Sequence, residues 1–153
     1  MVKLSDLVNA MAGTLSNIPE LVAALAPVNP VQPYIDFNPT SNSVENAIYQ
    51  MQPGQLLVVW TETLLILETM GKWSHRVEIC LRALKGNSDL DLVDLILSGV
   101  PNPGDGQIWR VCPIMPGVLA TDVTGITRRT DSEGVDYFVI ETETAETGDW
   151  PSP

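Results

Sequence analysis

Apolar side chains at Leu4, Leu7, Val8, Met11 and Leu15 recur at helical spacing, and Ser5 is placed to cap the stripe, so the chain is expected to open with an amphipathic helix. Gly13 and the run SNIPE interrupt it. Asn17 and Glu20, three apart with Pro19 in the first turn, predict a restart through Leu21, Val22 and Leu25. Pro27, Pro30 and Pro33 end that turn, and APVNPVQPYIDFNPT reads as extended chain crossing the surface. Asn42 and Glu45 form a capping-box pattern ahead of Val44, Ala47, Ile48 and Met51, which predicts another short helix closed by Pro53 and Gly54.

The period then changes from helical to alternating. Gln55 to Thr69 is rich in β-branched and large apolar residues, with Thr61, Glu62 and Thr63 marking a bend or an exposed middle. After the turn TMGK, Trp73, His75, Val77, Ile79, Leu81 and Ala83 fall on one face and Ser74, Arg76, Glu78, Cys80 and Arg82 on the other. These two segments predict a long antiparallel hairpin. Ser88 can cap a helix whose first turns hold Asp89, Asp91 and Asp94 and whose Leu90, Leu92, Val93, Ile96 and Leu97 face the sheet. Residues 99–121 read as a long Pro/Gly loop, with Trp109 to Cys112 able to add a short strand. A second hairpin closes the pattern: Val123 to Thr130, the turn DSEG with Gly134 suited to positive φ, then Val135 to Thr144. The last strand is apolar on both faces, Tyr137 and Val139 on one and Phe138 and Ile140 on the other, so it needs two covering layers.

The expected fold class is therefore α+β: an antiparallel or mixed β-sheet of long hairpins packed by an N-terminal helix and by a helix after the first hairpin. Residues 1–144 would form the single domain, with 145–153 a flexible acidic C-terminal tail. The 153-residue length suits one core and leaves no room for a second domain. No apolar run approaches the roughly 20 residues that span a bilayer, and Asp6 and Asn9 interrupt what would be a signal core, so no membrane partner and no export are expected.

Charge narrows the partners. Nineteen acids against eight Lys and Arg give a net charge of −11, a surface that repels phosphate and lacks the counterion-release term on which stable nucleic-acid binding rests. Such a surface would let DNA slide past. Cys80 and Cys112 have neither metal-ligand spacing nor a CxxC pattern, and read as free thiols.

Candidate chemistry is sparse. His75 is the single histidine, and its place among Trp73, Val77 and Ile79 predicts a packed side chain rather than a catalyst. Asp89, Asp91 and Asp94 lack the Gly and Glu that a calcium loop needs at its sixth and twelfth positions, where Asp94 and Val100 stand, so they read as helix N-terminal acids. Gly104, Asp105 and Gly106 lack the strand and helix of a phosphate loop and read as a turn. Glu141, Glu143 and Glu146 could pair for acid–base work, but read more simply as charge guards on an edge strand. Arg128 and Arg129, across the turn from Glu133 and Asp136, suit cross-strand or intersubunit ion pairs. No nucleophile, base and orienting group assemble, so neither enzyme activity nor a cofactor or metal is expected.

The order of parts, from the N-terminal helix with its IPELxxxL continuation through the Pro-rich crossing, the long hairpin, the LDLVDLIL helix and the closing hairpin TRRTDSEGVDYFVIE, resembles the tail terminator proteins of tailed bacteriophages over most of the chain. That hairpin holds the pattern Arg129, Asp131, Gly134, Tyr137 and Val139. The long loop and the excursion from Pro27 to Pro53 depart from it.

The resemblance implies a virion protein, assembled in the host cytoplasm, that forms a homo-oligomeric ring, typically a hexamer. The ring would cap the tail tube protein and meet the head-tail connector or stopper protein at the neck, with DNA passing through without stable binding. On that basis Arg128, Arg129, Asp131, Glu133, Tyr137 and Phe138 are expected at the subunit interface. Asp89, Asp91, Asp94, Glu141 and Glu143 are expected to face the channel, and Pro103, Gly104, Asp105 and Trp109 the neck. A head-completion or stopper protein using residues 99–121 as a gating loop is the alternative. A small enzyme or ligand-binding domain built around His75 is a third class.

Overall fold

A computed structural model describes residues 2–34, 47–48, 50–66, 72–82, 89–97, 100–102, 106–108, 113, 115, 118–130, 134 and 136–146. In chain order the elements are α1 (Leu4–Ser16), α2 (Pro19–Ala24), β1 (Val31–Tyr34), β2 (Leu56–Ile66), β3 (Lys72–Arg82), α3 (Asp89–Leu97), β4 (Val100–Asn102), β5 (Gly106–Ile108), β6 (Val118–Thr130) and β7 (Asp136–Glu146). The main sheet has the order β1-β2-β3-β7-β6, and β4-β5 form a separate two-stranded sheet. This is the α+β class that the alternation of helical and strand periods predicts, with the N-terminal helix packed on the sheet.

The helical stripe of α1 buries Leu7, Val8, Met11 and Leu15 as its spacing requires. Its start differs from expectation. Ser5 lies inside the helix, Lys3 is the N-cap, and no side chain caps it. The entry is held instead by a tertiary contact, the Val2 N–H donating to Glu146 Oε1 at 2.6 Å. In α2 the N-cap is Ile18, not Asn17, again without a side-chain cap; Pro19 occupies the first turn, where its missing N–H costs nothing.

The Pro-rich crossing does more than traverse the surface. Val31 to Tyr34 pair in parallel with Leu56 to Val59, making β1 one edge of the sheet. Pro33 is tolerated because an edge strand has one side with no ladder partner. The proposed capping box at Asn42 and Glu45 and the cap at Ser88 lie outside the described residues. So do Ala83 and the DSEG turn apart from Gly134, which has φ 78°.

Both long hairpins are present, and β3 pairs β7 to join them. Three boundaries change. The run expected to bend at Thr61 is a bulge between Trp60 and Glu62. Residues 99–121 are not one loop: Val100 to Asn102 pair with Gly106 to Ile108, and β6 begins at Val118. The part of that segment expected to add a strand, Trp109 to Cys112, lies outside the described residues. The last strand continues to Glu146 because Ala145 still pairs with Ser74 and Glu146 with Val118, so ordered structure enters the run read as a tail. It is also an interior strand, flanked by β3 and β6, and the carboxylates of Glu141 and Glu143 therefore do not guard an edge.

One face of the sheet, formed by Leu56, Val58, Val77, Ile79, Leu81 and Ile140, packs with α1, α2 and with Leu92, Val93 and Ile96 of α3. Each such fully buried side chain contributes roughly 1.5–3 kcal/mol by leaving water. On the other face Leu57, Val59, Cys80 and Val139 cluster with Ile48 and Met51, with Tyr34, Ala47 and Tyr137 packed against them. The chain thus supplies cover of its own on both faces of β7 around Val139 and Ile140. Among the described residues no helix is long and apolar enough to cross a membrane.

Candidate functional site

The buried polar groups concentrate under the helix-covered face. Strand parity there is set by the bulge in β2. Before it, Leu56, Val58 and Trp60 share the inward face with Leu81, Ile79 and Val77; after it, Thr63 comes opposite His75. Without the extra residue Thr63 would point to the other face. His75 is fully buried, with Thr63 Oγ1 2.8 Å from its Nδ1 and Glu146 Oε2 2.5 Å from its Nε2. Trp60 Nε1 donates to Thr63 Oγ1 at 2.9 Å. The buried Glu146 carboxylate therefore joins β7 to β3 through one oxygen and to the start of α1 through the other.

Donor and acceptor roles follow from the groups available. An ionised carboxylate only accepts, so Nε2 of a neutral His75 donates to Glu146, leaving Nδ1 to accept the Thr63 hydroxyl proton. Thr63 oxygen in turn accepts from the Trp60 indole. The row is continued by Thr144 and Thr121, buried with their hydroxyls 2.8 Å apart, and by Thr142, whose hydroxyl donates to Val77 O at 2.7 Å. A hydroxyl, imidazole and carboxylate in line could relay a proton, but His75 has 0% exposure. An apolar groove of about 440 Å³ is lined by Ala24 to Val28, Gln52 and Pro53, none of them in this network. The arrangement ties β2, β3, β7 and the start of α1 together.

The opposite face carries charge. Arg76 lies between Glu62 at 2.6 Å and Glu143 at 3.1 Å, and its guanidinium is held above its ordinary range by the Glu143 hydrogen bond first and the Glu62 charge second. Glu78 stands opposite Glu141 across β3 and β7. Burial raises the Glu78 carboxyl above the usual range, the Arg129 charge opposes that, and Glu141 adds to it. On the same face, burial pushes the Cys80 thiol up to about 12. Cys80 is a free thiol, as its spacing suggests, while Cys112 lies outside the described residues.

The residues expected to act together are distributed as follows. Arg128 and Arg129 are exposed near the end of β6; Arg128 bonds Asp136 at 3.0 Å and Arg129 reaches Glu141 at 3.5 Å. Asp136 sits below the usual carboxylate range because the Thr130 hydroxyl and then the Arg128 guanidinium bond its ionised form. Tyr137 and Phe138 are part-buried on opposite faces, each packed on a core cluster. Asp91 and Asp94 are exposed on α3, over the helix-covered face, whereas Glu141 and Glu143 lie on the other face; the two acidic sets do not form one surface. Glu146 faces away from both Glu141 and Glu143, into the His75 network. Asp89 belongs to α3, but its side chain, together with Asp131, Glu133, Pro103, Gly104, Asp105 and Trp109, lies outside the described residues.

Thr63 and Glu146 are the partners that sequence reasoning missed. A signal existed: Thr142, Thr144 and Glu146 continue the inward parity of Ile140, so three polar groups were due on a buried face. The β2 bulge hid the other half, because it reverses the parity that would assign Thr63.

Among the described residues no group of three His, Cys, Asp or Glu side chains converges to hold a metal ion. Compared with protein-family models and with curated proteins, the chain matches none.

Proposed function

We propose that the protein is a self-assembling structural part of a phage virion, a tail terminator whose ring, a hexamer, caps the tail tube and joins it to the head-proximal neck. The observation that carries the assembly reading is an open sheet. β6 is 13 residues long and, among the described residues, pairs with β7 on one side and with no strand on the other. Ile126 on it is 48% exposed, and Leu64 on β2 is 50% exposed. Long edges with apolar side chains are usually covered or assembled rather than left in water. The virion role rests on the resemblance of element order and closing hairpin to tail terminators. The acidic net charge of −11 suits a part that DNA passes without adhering.

Native mass spectrometry and negative-stain microscopy of the purified chain test this directly. Six copies in a ring are expected. A strict monomer at micromolar concentration overturns the ring.

A stopper or head-completion part is the second reading, favoured by β4-β5, which pair with each other in a sheet separate from the main one. Deleting residues 102–106 from the phage-borne gene discriminates: DNA loss from filled heads supports the stopper, and abnormal tail length with retained DNA supports the terminator.

A further inference from the structure

We propose that the charged half of the sheet face turned away from α1 is a docking surface for a cationic partner, a protein segment bearing several lysines or arginines. The proposal goes beyond the ring reading and does not rest on it.

This face divides into two halves. Around Leu57, Val59, Cys80 and Val139 it is covered by Ile48 and Met51. Toward the other end of the strands it stays open to solvent: Leu64 and Asp122 are exposed, and Glu62, Arg76, Glu78, Glu141 and Glu143 are part-exposed. Register places Glu62, Arg76, Glu143 and Asp122 in one row across β2, β3, β7 and β6. At about 4.8 Å between neighbouring strands, that row spans roughly 14 Å. In the next row Glu78 and Glu141 stand opposite each other on β3 and β7.

The cations on this half do not match its acids. Arg76 is engaged by Glu62 and Glu143. Arg129 reaches Glu141 from the end of β6. The Glu141 carboxylate lies over Gly125 of β6, 2.9 Å from where a Cβ would stand, and so turns away from Glu78. Among the described residues Glu78 and Asp122 then have no ion pair. Asp122 moreover stands opposite Glu143, a like-charge pair that is unfavourable across strands. Glu78 is half-buried, and Arg129 and Arg76 act on its charge without bonding it.

Charge complementarity selects the partner. The sign excludes nucleic acid and anionic lipid, whose phosphates this surface repels. A second copy of the chain, at a net charge of −11, would bring the same excess of acids. Among the described residues no three acids converge on one point, so the charges suit cations spaced along a segment rather than a single metal ion. Lysines or arginines set against Glu78 and Asp122 would supply the charge that both lack. Leu64, 50% exposed at the border of the rows, adds an apolar contact of the kind that interfaces mix with polar ones. An acidic face of this sort also speeds encounter with a basic partner and suppresses acidic ones.

The experiment titrates octalysine with blocked ends into the isotope-labelled full chain and into two charge-matched variants, each checked for native circular dichroism. Glu78→Gln with Asp122→Asn removes the two unpaired acids of the face. Asp91→Asn with Asp94→Asn removes two exposed acids of α3, on the other side of the sheet. Octalysine is expected to shift the amide resonances of residues 74–78, 122–125 and 141–145 first. The face variant is expected to bind it roughly fivefold or more weakly, and the α3 variant to stay within about twofold of wild type. Equal weakening in both variants, or shifts spread along the whole chain, means attraction by net charge alone and overturns the docking surface. Calcium chloride that reproduces the same shifts and displaces the peptide assigns the face to a metal ion and overturns it as well. A monomer that binds octalysine on this face leaves the proposal standing without the ring, whereas a hexamer that does not bind it there does the opposite.

Discussion

Glu146 Oε2 lies 2.5 Å from His75 Nε2 while Oε1 of the same carboxylate accepts the Val2 N–H at 2.6 Å, so a single side chain bolts the end of β7 to the central strand β3 and to the entry of α1. The His75 contact is buried and the Val2 contact part-buried, so water replaces neither freely. Glu146→Ala leaves His75 and Val2 without that acceptor and is expected to cost about 2–4 kcal/mol. Glu146→Gln retains one acceptor oxygen but sets an NH2 against one of two donors, and should cost about half as much. Urea denaturation measures both; an unchanged midpoint in the Ala variant would remove the bolt from the account of stability.

Far more of the scaffold than of this contact was legible in the residues. Alternation at Trp73 to Arg82 assigns both faces of β3 correctly, because every step of a regular strand reverses the side chain, and no residue there breaks the count. The helical stripe of α1 is equally plain. What stayed hidden depends on single extra residues or on distant partners. The bulge at Thr61 moves Thr63 to the His75 face, and nothing local distinguishes a bulge from an exposed middle. Glu146 looked like one more acid in a tail because its burial is decided by residues 71 and 144 positions away. The start of α1 misled for the same reason: a tertiary acceptor takes the place of a cap.

Two glycines separate conformational from spatial need. Gly134 has φ 78° with open space around a would-be Cβ, so Gly134→Ala is expected to cost about 1 kcal/mol from left-handed backbone strain alone, and Gly134→Asn less. At Gly125 the constraint is a neighbour: a Cβ would meet Glu141 Oε2 at 2.9 Å. That carboxylate ends a flexible side chain and can swing aside, giving up an exposed contact with Arg129. Gly125→Ala should therefore stay within about 1 kcal/mol of wild type. Thermal denaturation ranks the three; Gly125→Ala falling below Gly134→Ala would show that Glu141 is not free to move.

The Cys80 thiol supplies a probe of the second core. Burial among Leu57, Val59 and Val139 holds it up at about 12, so little thiolate exists near neutral pH and reagents have no path to it. In a Cys112→Ser background, native protein at pH 8 should react with a thiol reagent at least a hundredfold slower than urea-unfolded protein. Labelling at the unfolded rate would mean that the layer of Ile48 and Met51 opens readily.

Glu78 predicts a pH effect of unusual sign for an acid. Its folded carboxyl is raised, chiefly by burial, above the value it has in the unfolded chain. The folded state therefore binds this proton more tightly, and the group favours folding below its unfolded pKa; that contribution is lost as pH rises through the raised folded pKa. At neutral pH the ionised side chain opposes folding, with Glu141 across the strand pair adding repulsion and Arg129 relieving part of it. Glu78→Gln is thus expected to raise stability at pH 7, with the gain shrinking as the buffer is taken down through the carboxylate range. Asp136 behaves in the opposite way. Its folded carboxyl is lowered by Thr130 and Arg128, so its contribution is present above the unfolded pKa and lost as pH falls through the folded one. Asp136→Asn should accordingly destabilise at pH 7 and become neutral in acid. Urea midpoints of the two variants at pH 7 and pH 3 check both signs together, and a Glu78→Gln variant less stable than wild type at pH 7 would reverse the role assigned to its burial.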